Sequence, residues 1–197
     1  MTDGDRVLIA EDETIIRLDL RGICERAGLD VVGEARDGAE ALALGVSLAP
    51  DLVIMDVRMP RLDGIEVARR LLSERPVPIV IVTAFAEQEL VTRAAEAGVF
   101  GYLVKPFRED DLIPAVQTAR ARFRELQAVR REASSLAEAL ESRKVVERAK
   151  GMLMAREGLP EDEAYARLRR ASQRTGRPMR AIAEALVATL EGDGPPA

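Results

Sequence analysis

Five short runs of apolar, mostly β-branched residues punctuate the first hundred positions: "RVLIA", "DVVGEA", "DLVIMD", "PIVIVTA" and "GYLVKP". Each is of strand length and ends in turn-forming or polar residues, the pattern of buried β-strands. Amphipathic stretches of helical length lie between them, over Thr14–Ala27, Gly38–Leu48, Gly64–Glu74 and Glu87–Ala97. Near-continuous apolar strands alternating with helices predict an α/β fold, a doubly wound, five-stranded parallel sheet covered on both faces. Gly28, Gly98 and Pro50 mark the returns from helix to strand.

From Asp111 the pattern changes. Pro114 is tolerable in the first turn of a helix, and no further proline follows until Pro160. Leu112, Ala119, Leu126, Ala133 and Leu140 share one heptad position, and Val116, Phe123 and Ala137 share another, interrupted by Arg130. A repeat of period 3.5 predicts a long helix able to pair with a second helix. "LPEDEAYARLRRAS" then starts a new helix after a turn, with acids in its first turn. "RPMRAIAEALVATL" makes a last one, so a three-helix bundle ends the chain. The expected organisation is an α/β domain over 1–121, a linker helix over 122–138, the bundle over 139–191 and a disordered tail over 192–197.

Composition narrows the chemistry. Of the 197 residues only 3% are aromatic and none is tryptophan, so the core is aliphatic. Histidine is absent, which excludes His-based zinc sites, serine-protease-type triads and any histidine phosphoryl relay within the chain. Cys24 is the sole cysteine, so no intrachain disulfide or Cys-cluster metal site exists, and a packed free thiol is expected. No apolar run is long enough to span a membrane and "MTDGDR" is unlike a signal peptide; a cytoplasmic protein is expected. Charge is uneven. Met1–Ala119 carries 13 basic and 22 acidic residues, whereas Ala139–Arg180 carries 11 basic and 6 acidic. The second stretch suits either a polyanionic partner or a plain solvated helical surface.

In an open parallel sheet functional groups gather at the carboxyl ends of the strands. There the first strand delivers Glu11, Asp12 and Glu13, the third Asp56, the fourth Thr83 and the fifth Lys105–Pro106. An acid after a strand is usually a helix cap, but several acids, a hydroxyl and a lysine converging on one edge have no simple structural explanation. The motifs "AEDE", "DLVIMDVRMPRLDG", "VTA" and "YLVKPF", in this order over some 120 residues, resemble the receiver domain of two-component response regulators. The resemblance implies a flavodoxin-like fold, with Asp56 as phosphoacceptor. Glu11, Asp12, Asp56 and the backbone carbonyl of Arg58 would bind Mg²⁺, a hard cation that prefers oxygen ligands. Lys105 and Thr83 would contact the phosphoryl oxygens, and Thr83 with Tyr102 would form the switch. It also implies a cis Lys105–Pro106 bond and a sensor histidine kinase as phosphodonor. Arg58 and Phe85 occupy the places where other receivers orient a hydrolytic water with acid or amide groups, which predicts slow loss of the phosphoryl group.

The later "ALESRKVVERAKGMLMAREGLPEDEAYARLRRAS" and "RAIAEAL" resemble the ANTAR domain, a three-helix RNA-binding module of transcription antiterminators. That resemblance implies binding of paired RNA hairpins in nascent transcripts by a phosphorylation-dependent homodimer. Lys150, Arg143 and Lys144 are the first RNA-contact candidates, with Arg169, Arg170, Arg174 and Arg177 behind them. Tyr165 is expected to pack inside the bundle. A DNA-binding response regulator and a protein-binding signalling adaptor are the competing readings, and an independent phosphohydrolase is disfavoured.

Overall fold

The computed structural model of the chain describes residues 5–84 and 88–192. Phe85, Glu87 and residues 193–197 of the tail expected to be disordered lie outside them. The chain forms two compact units, Met1–Gln127 and Ala128–Ala197.

In the first unit the strands are β1 (Arg6–Ala10), β2 (Asp30–Ala35), β3 (Leu52–Asp56), β4 (Ile79–Thr83) and β5 (Gly101–Val104). They pair in parallel in the order β2-β1-β3-β4-β5, the doubly wound order expected for strands linked by right-handed helical crossovers. The helices are α1 (Thr14–Arg26), α2 (Gly38–Ser47), α3 (Gly64–Glu74), α4 (Gln88–Glu96) and α5 (Glu109–Glu157).

Because successive strand residues point to opposite faces, the sheet carries two cores. Leu8, Val53, Met55, Ile79 and Ile81 meet Ile65, Val67, Leu71, Leu90 and Ala94 of α3 and α4. Val7, Ile9, Ile54, Val80 and Val82 meet Leu20 and Ile23 of α1 and Leu112, Val116 and Ala119 of α5. A truncation such as Leu71→Ala removes a fully buried side chain and costs about 2–5 kcal/mol.

Local chemistry sets the helix starts. Asp37 Oδ1 accepts from the amides of Ala39 and Glu40 at 2.9 and 3.0 Å, and Asp63 Oδ1 accepts from Ile65 and Glu66 at 2.8 and 3.1 Å. Both are N-caps that satisfy amides otherwise left without an acceptor. The start of α3 is also sterically constrained, since a Cβ on Gly64 would lie 2.1 Å from the Asp56 carbonyl oxygen.

Helix α5 begins at Glu109, two residues earlier than expected, so Pro114 is its sixth residue and stands in the second turn rather than the first. In the second unit the last part of α5 packs with α6 (Glu161–Thr175) and α7 (Met179–Gly192) around Val146, Ala149, Leu153, Ala164, Leu168 and Ala183. Along α5, Leu126, Val129, Leu136 and Leu140 are exposed. Besides the expected heptads through Arg130 and Ala137, Val129 and Leu136 therefore form a second exposed apolar stripe with Leu126, Ala133 and Leu140.

Candidate functional site

The carboxyl edge of the sheet brings Glu11, Asp56, Thr83 and Lys105 together. Asp56 ends β3 and is buried to 6% exposure, and Glu11, just past β1, is fully buried. Such carboxylates need compensation, and Lys105 supplies it. Its Nζ donates to Asp56 Oδ2 at 2.7 Å and forms an ion pair with Glu11 Oε2, also at 2.7 Å. Asp56 Oδ1 accepts from the Arg58 amide at 3.2 Å. Glu11 Oε1 accepts from the Glu13 amide at 3.3 Å, while Oε2, despite the nearby ammonium, has no contact of hydrogen-bond geometry. Burial pushes the Glu11 carboxyl above its usual range against the pull of Lys105. For Lys105, burial works against the charge, yet the hydrogen bond to Asp56 and the charge of Glu11 hold the ammonium above its ordinary value.

Thr83 is fully buried at the end of β4, and its carbonyl accepts from the Lys105 amide at 2.8 Å. The Lys105–Pro106 bond is cis. Tyr102 is half-buried on β5 and borders a cavity of 160 Å³ with Val91, Phe100 and Arg122. Phe100 and Phe123 meet edge to face with centroids 5.3 Å apart, which joins the start of β5 to α5.

Oxygens of Glu11, Asp12 and Asp56 lie within 4.8 Å of one another. Three carboxyl groups thus gather around one ammonium. This hard-oxygen donor set fits a divalent cation such as Mg²⁺.

The helical unit holds the other candidates. Arg143 is exposed, and Lys144 is exposed and paired with Glu141 at 2.7 Å. Lys150 is less open than these two. It is only 9% exposed, and its ammonium pairs with Glu147 at 2.5 Å and Glu161 at 2.8 Å. These two carboxylates raise its pKa. Arg169, Arg170, Arg174 and Arg177 are exposed. Tyr165, expected inside the bundle, is 44% exposed, because Ala164 and Leu168 take the inward positions of α6.

The family model of the response regulator receiver domain matches residues 7–117, and that of the ANTAR domain matches residues 134–187. The transcriptional regulatory protein PdtaR of Mycobacterium tuberculosis is 49% identical over 194 residues, covering 96% of this chain and 95% of PdtaR. The chain belongs to the response regulators that carry an ANTAR domain. The chemotaxis protein CheY of Thermotoga maritima is 36% identical over 114 residues, covering 57% of this chain and 95% of CheY. Among solved structures, the receiver domain of a modulated diguanylate cyclase from Desulfovibrio desulfuricans superposes with a TM-score of 0.58 at 34% identity, covering 62% of this chain and 98% of that one. The five-stranded receiver fold followed by a long helix and C-terminal helices is therefore shown, and among the described residues no helix is long and apolar enough to cross a membrane.

One residue of this receiver escaped sequence reasoning. Arg17, only 8% exposed, donates to the Glu11 carbonyl at 2.7 Å and pairs with Glu34 at 3.3 Å, bracing the end of β1 that presents Glu11. An arginine on the apolar side of α1, between Ile16 and Leu20, was the available signal. Gly64, expected from the sequence to shape the turn after Asp56, gains a steric reason in the close approach of the Asp56 carbonyl.

Proposed function

We propose that this response regulator is activated by phosphorylation of Asp56 and then binds RNA hairpins to antagonise transcription termination. The observation that carries the first half is the Lys105 ammonium, held between Asp56 and Glu11 at 2.7 Å at the sheet edge where the acids cluster. An Asp56 carboxylate oxygen attacks the phosphorus of a phosphohistidine on a sensor kinase. The new O–P bond replaces the P–N bond, and the imidazole leaves carrying the electron pair. Lys105 then passes from a carboxylate to a phosphoryl oxygen as a point charge. Glu11, Asp12, Asp56 and the Arg58 carbonyl would hold Mg²⁺. When bound, that ion neutralises charge on the transferring group. The chain acts only on its own phosphoryl group and is otherwise not an enzyme.

The added charge, roughly −1.5 to −2, draws the Thr83 hydroxyl and lets the Tyr102 ring reposition. The β5 edge and α5 would carry the change, because Phe100 packs on Phe123. The exposed stripe of Leu126, Val129, Leu136 and Leu140 would then pair with that of a second copy. Two ANTAR units so joined grip two hairpins, which can raise avidity ~10²–10⁴-fold without new contacts. Arg143 and Lys144 would meet the RNA backbone. Lys150, expected among these contacts, is already shared by two carboxylates and is the weakest backbone ligand of the three. The PdtaR relative is named a transcriptional regulator, which supports a transcriptional output here.

The test uses acetyl phosphate with Mg²⁺, then sedimentation and gel shifts with a two-hairpin RNA and with duplex DNA. Label should appear on Asp56 and be absent in Asp56→Asn. Leu136→Asp should keep the label but lose the phosphorylation-dependent dimer and tight RNA binding. Equal labelling of Asp56→Asn, or a preference for duplex DNA, would reject the corresponding half.

A further inference from the structure

Arg17 shares the buried face of α1 with Leu20 and Cys24, and the phosphotransfer chemistry above gives it no task. Burying a guanidinium is costly unless its donors are matched. Here they are spent on the stretch of chain that carries the metal acids. Nη1 donates to the Glu11 carbonyl at 2.7 Å and reaches the Asp12 carbonyl at 3.5 Å. Nε pairs with Glu34 Oε2 of β2 at 3.3 Å. The Glu11 amide donates to the Ala35 carbonyl, also of β2, at 3.0 Å. Both main-chain polar groups of Glu11 are therefore anchored to β2, the amide directly and the carbonyl through Arg17. A simple tie between α1 and β2 does not require this, because Arg21 already pairs with Glu34 at 2.6 Å.

We infer that Arg17 is a positioning residue for the metal acids, setting how tightly the Glu11–Asp12 segment binds a divalent cation. The inference rests on the Mg²⁺ reading above and adds to it a residue that is not itself a ligand. Fixing the Glu11 carbonyl fixes the plane of the peptide that joins Glu11 to Asp12, and with it the relative placement of the two carboxylates. Ligands held in place beforehand bind without the cost of being ordered first, and partners that orient metal ligands typically contribute ~10–100-fold in affinity. Charge alone predicts the opposite sign. Arg17 is a cation beside an acidic cluster, so its removal should favour Mg²⁺ on Coulomb grounds, whereas loss of placement should disfavour it. Lysine is no substitute, since one ammonium lacks the planar fork that reaches the Glu11 carbonyl and Glu34 together.

The full-length chain is melted over a range of Mg²⁺ concentrations, each variant against its own Mg²⁺-free melt. The half-saturating concentration is read from the rise in the receiver's midpoint. Arg17→Met should raise that concentration ~10–100-fold, and Arg17→Lys should raise it too. Should the methionine variant not fold, the lysine variant carries the comparison. Arg21→Ala, which removes a Glu34 partner, should match the parent. Phosphoryl uptake from acetyl phosphate should follow the same pattern, the rate that Arg17→Met loses at low Mg²⁺ returning at high Mg²⁺. If the Arg17 variants bind Mg²⁺ as tightly as the parent, or more tightly, Arg17 only fastens α1, and the positioning role is overturned while Mg²⁺ binding stands. Equal weakening in Arg21→Ala would make the effect a general loosening of α1 and overturn that role as well. A parent whose midpoint ignores Mg²⁺ overturns the Mg²⁺ reading and this inference with it.

Discussion

Lys105 of the receiver and Lys150 of the ANTAR domain are alike on paper. Each is nearly buried, and each ammonium lies between two carboxylates at 2.5–2.8 Å. The partners separate them. The side chains of the acids holding Lys105 are 0% and 8% exposed, whereas those of the acids holding Lys150 are 53% and 70% exposed. Charge enclosed in low dielectric interacts strongly and is costly to leave unpaired, while solvent weakens the same pair at the surface. The first arrangement encloses its charges, and the second leaves them to solvent. A lysine's role follows from where its partners sit.

Exchanging lysines for alanine tests that contrast most directly. Lys105→Ala should slow phosphoryl uptake by Asp56 from acetyl phosphate by about 10²–10³-fold, the usual effect of deleting a preorganised charge-stabilising group. Lys150→Ala should leave uptake unchanged. Comparable slowing in both variants would erase the distinction.

Mg²⁺ provides the next contrast. The ion should raise the stability of the receiver by about 2.7 kcal/mol when present at a hundred times its dissociation constant. Unfolding of the ANTAR unit, followed separately, should not respond. Asp12→Asn should weaken the receiver's response, which thermal melts with and without Mg²⁺ would record.

Cys24 gives a smaller effect. Burial pushes its thiol from 9.0 up to about 12. The folded state therefore favours the protonated thiol, and the stability this provides is intact below pH 9 and is lost as pH climbs toward about 12. Near pH 10 the loss should be on the order of 1 kcal/mol, seen as a difference between parent and Cys24→Ala in denaturant titrations. The smallest effect is expected from Lys150→Met, which should barely move the unfolding midpoint of the ANTAR unit, because its ion-pair partners are solvent-exposed.

Much of the receiver was legible because its signals are local. β-Branched runs mark the strands, and the residue that follows each run falls at the functional edge. Asp56, Thr83 and Lys105 converge as their positions at strand ends require. The ANTAR unit was harder. Lys150 looked like a free cation because nothing local shows that the turn through Gly158 and Pro160 returns Glu161 to it. Tyr165 looked like a core residue because helix periodicity alone does not say which of two adjacent stripes turns inward. On α5, Leu112, Val116 and Ala119 define a buried face of the receiver, and the exposed Val129 and Leu136 add a neighbouring stripe that the expected heptads did not include. The roles of Arg143 and Lys144 depend on a partner, which no arrangement within the chain reveals.

Gly64 offers control over the receiver that owes nothing to charge. The absent side chain leaves room for the Asp56 carbonyl, which would lie 2.1 Å from any Cβ there. Adding one methyl group at position 64 would push on the main chain of Asp56 without adding or removing any ionisable group. The alignment of Asp56 can thus be detuned by shape alone, so defects of placement can be told apart from defects of electrostatics in the same few cubic ångströms.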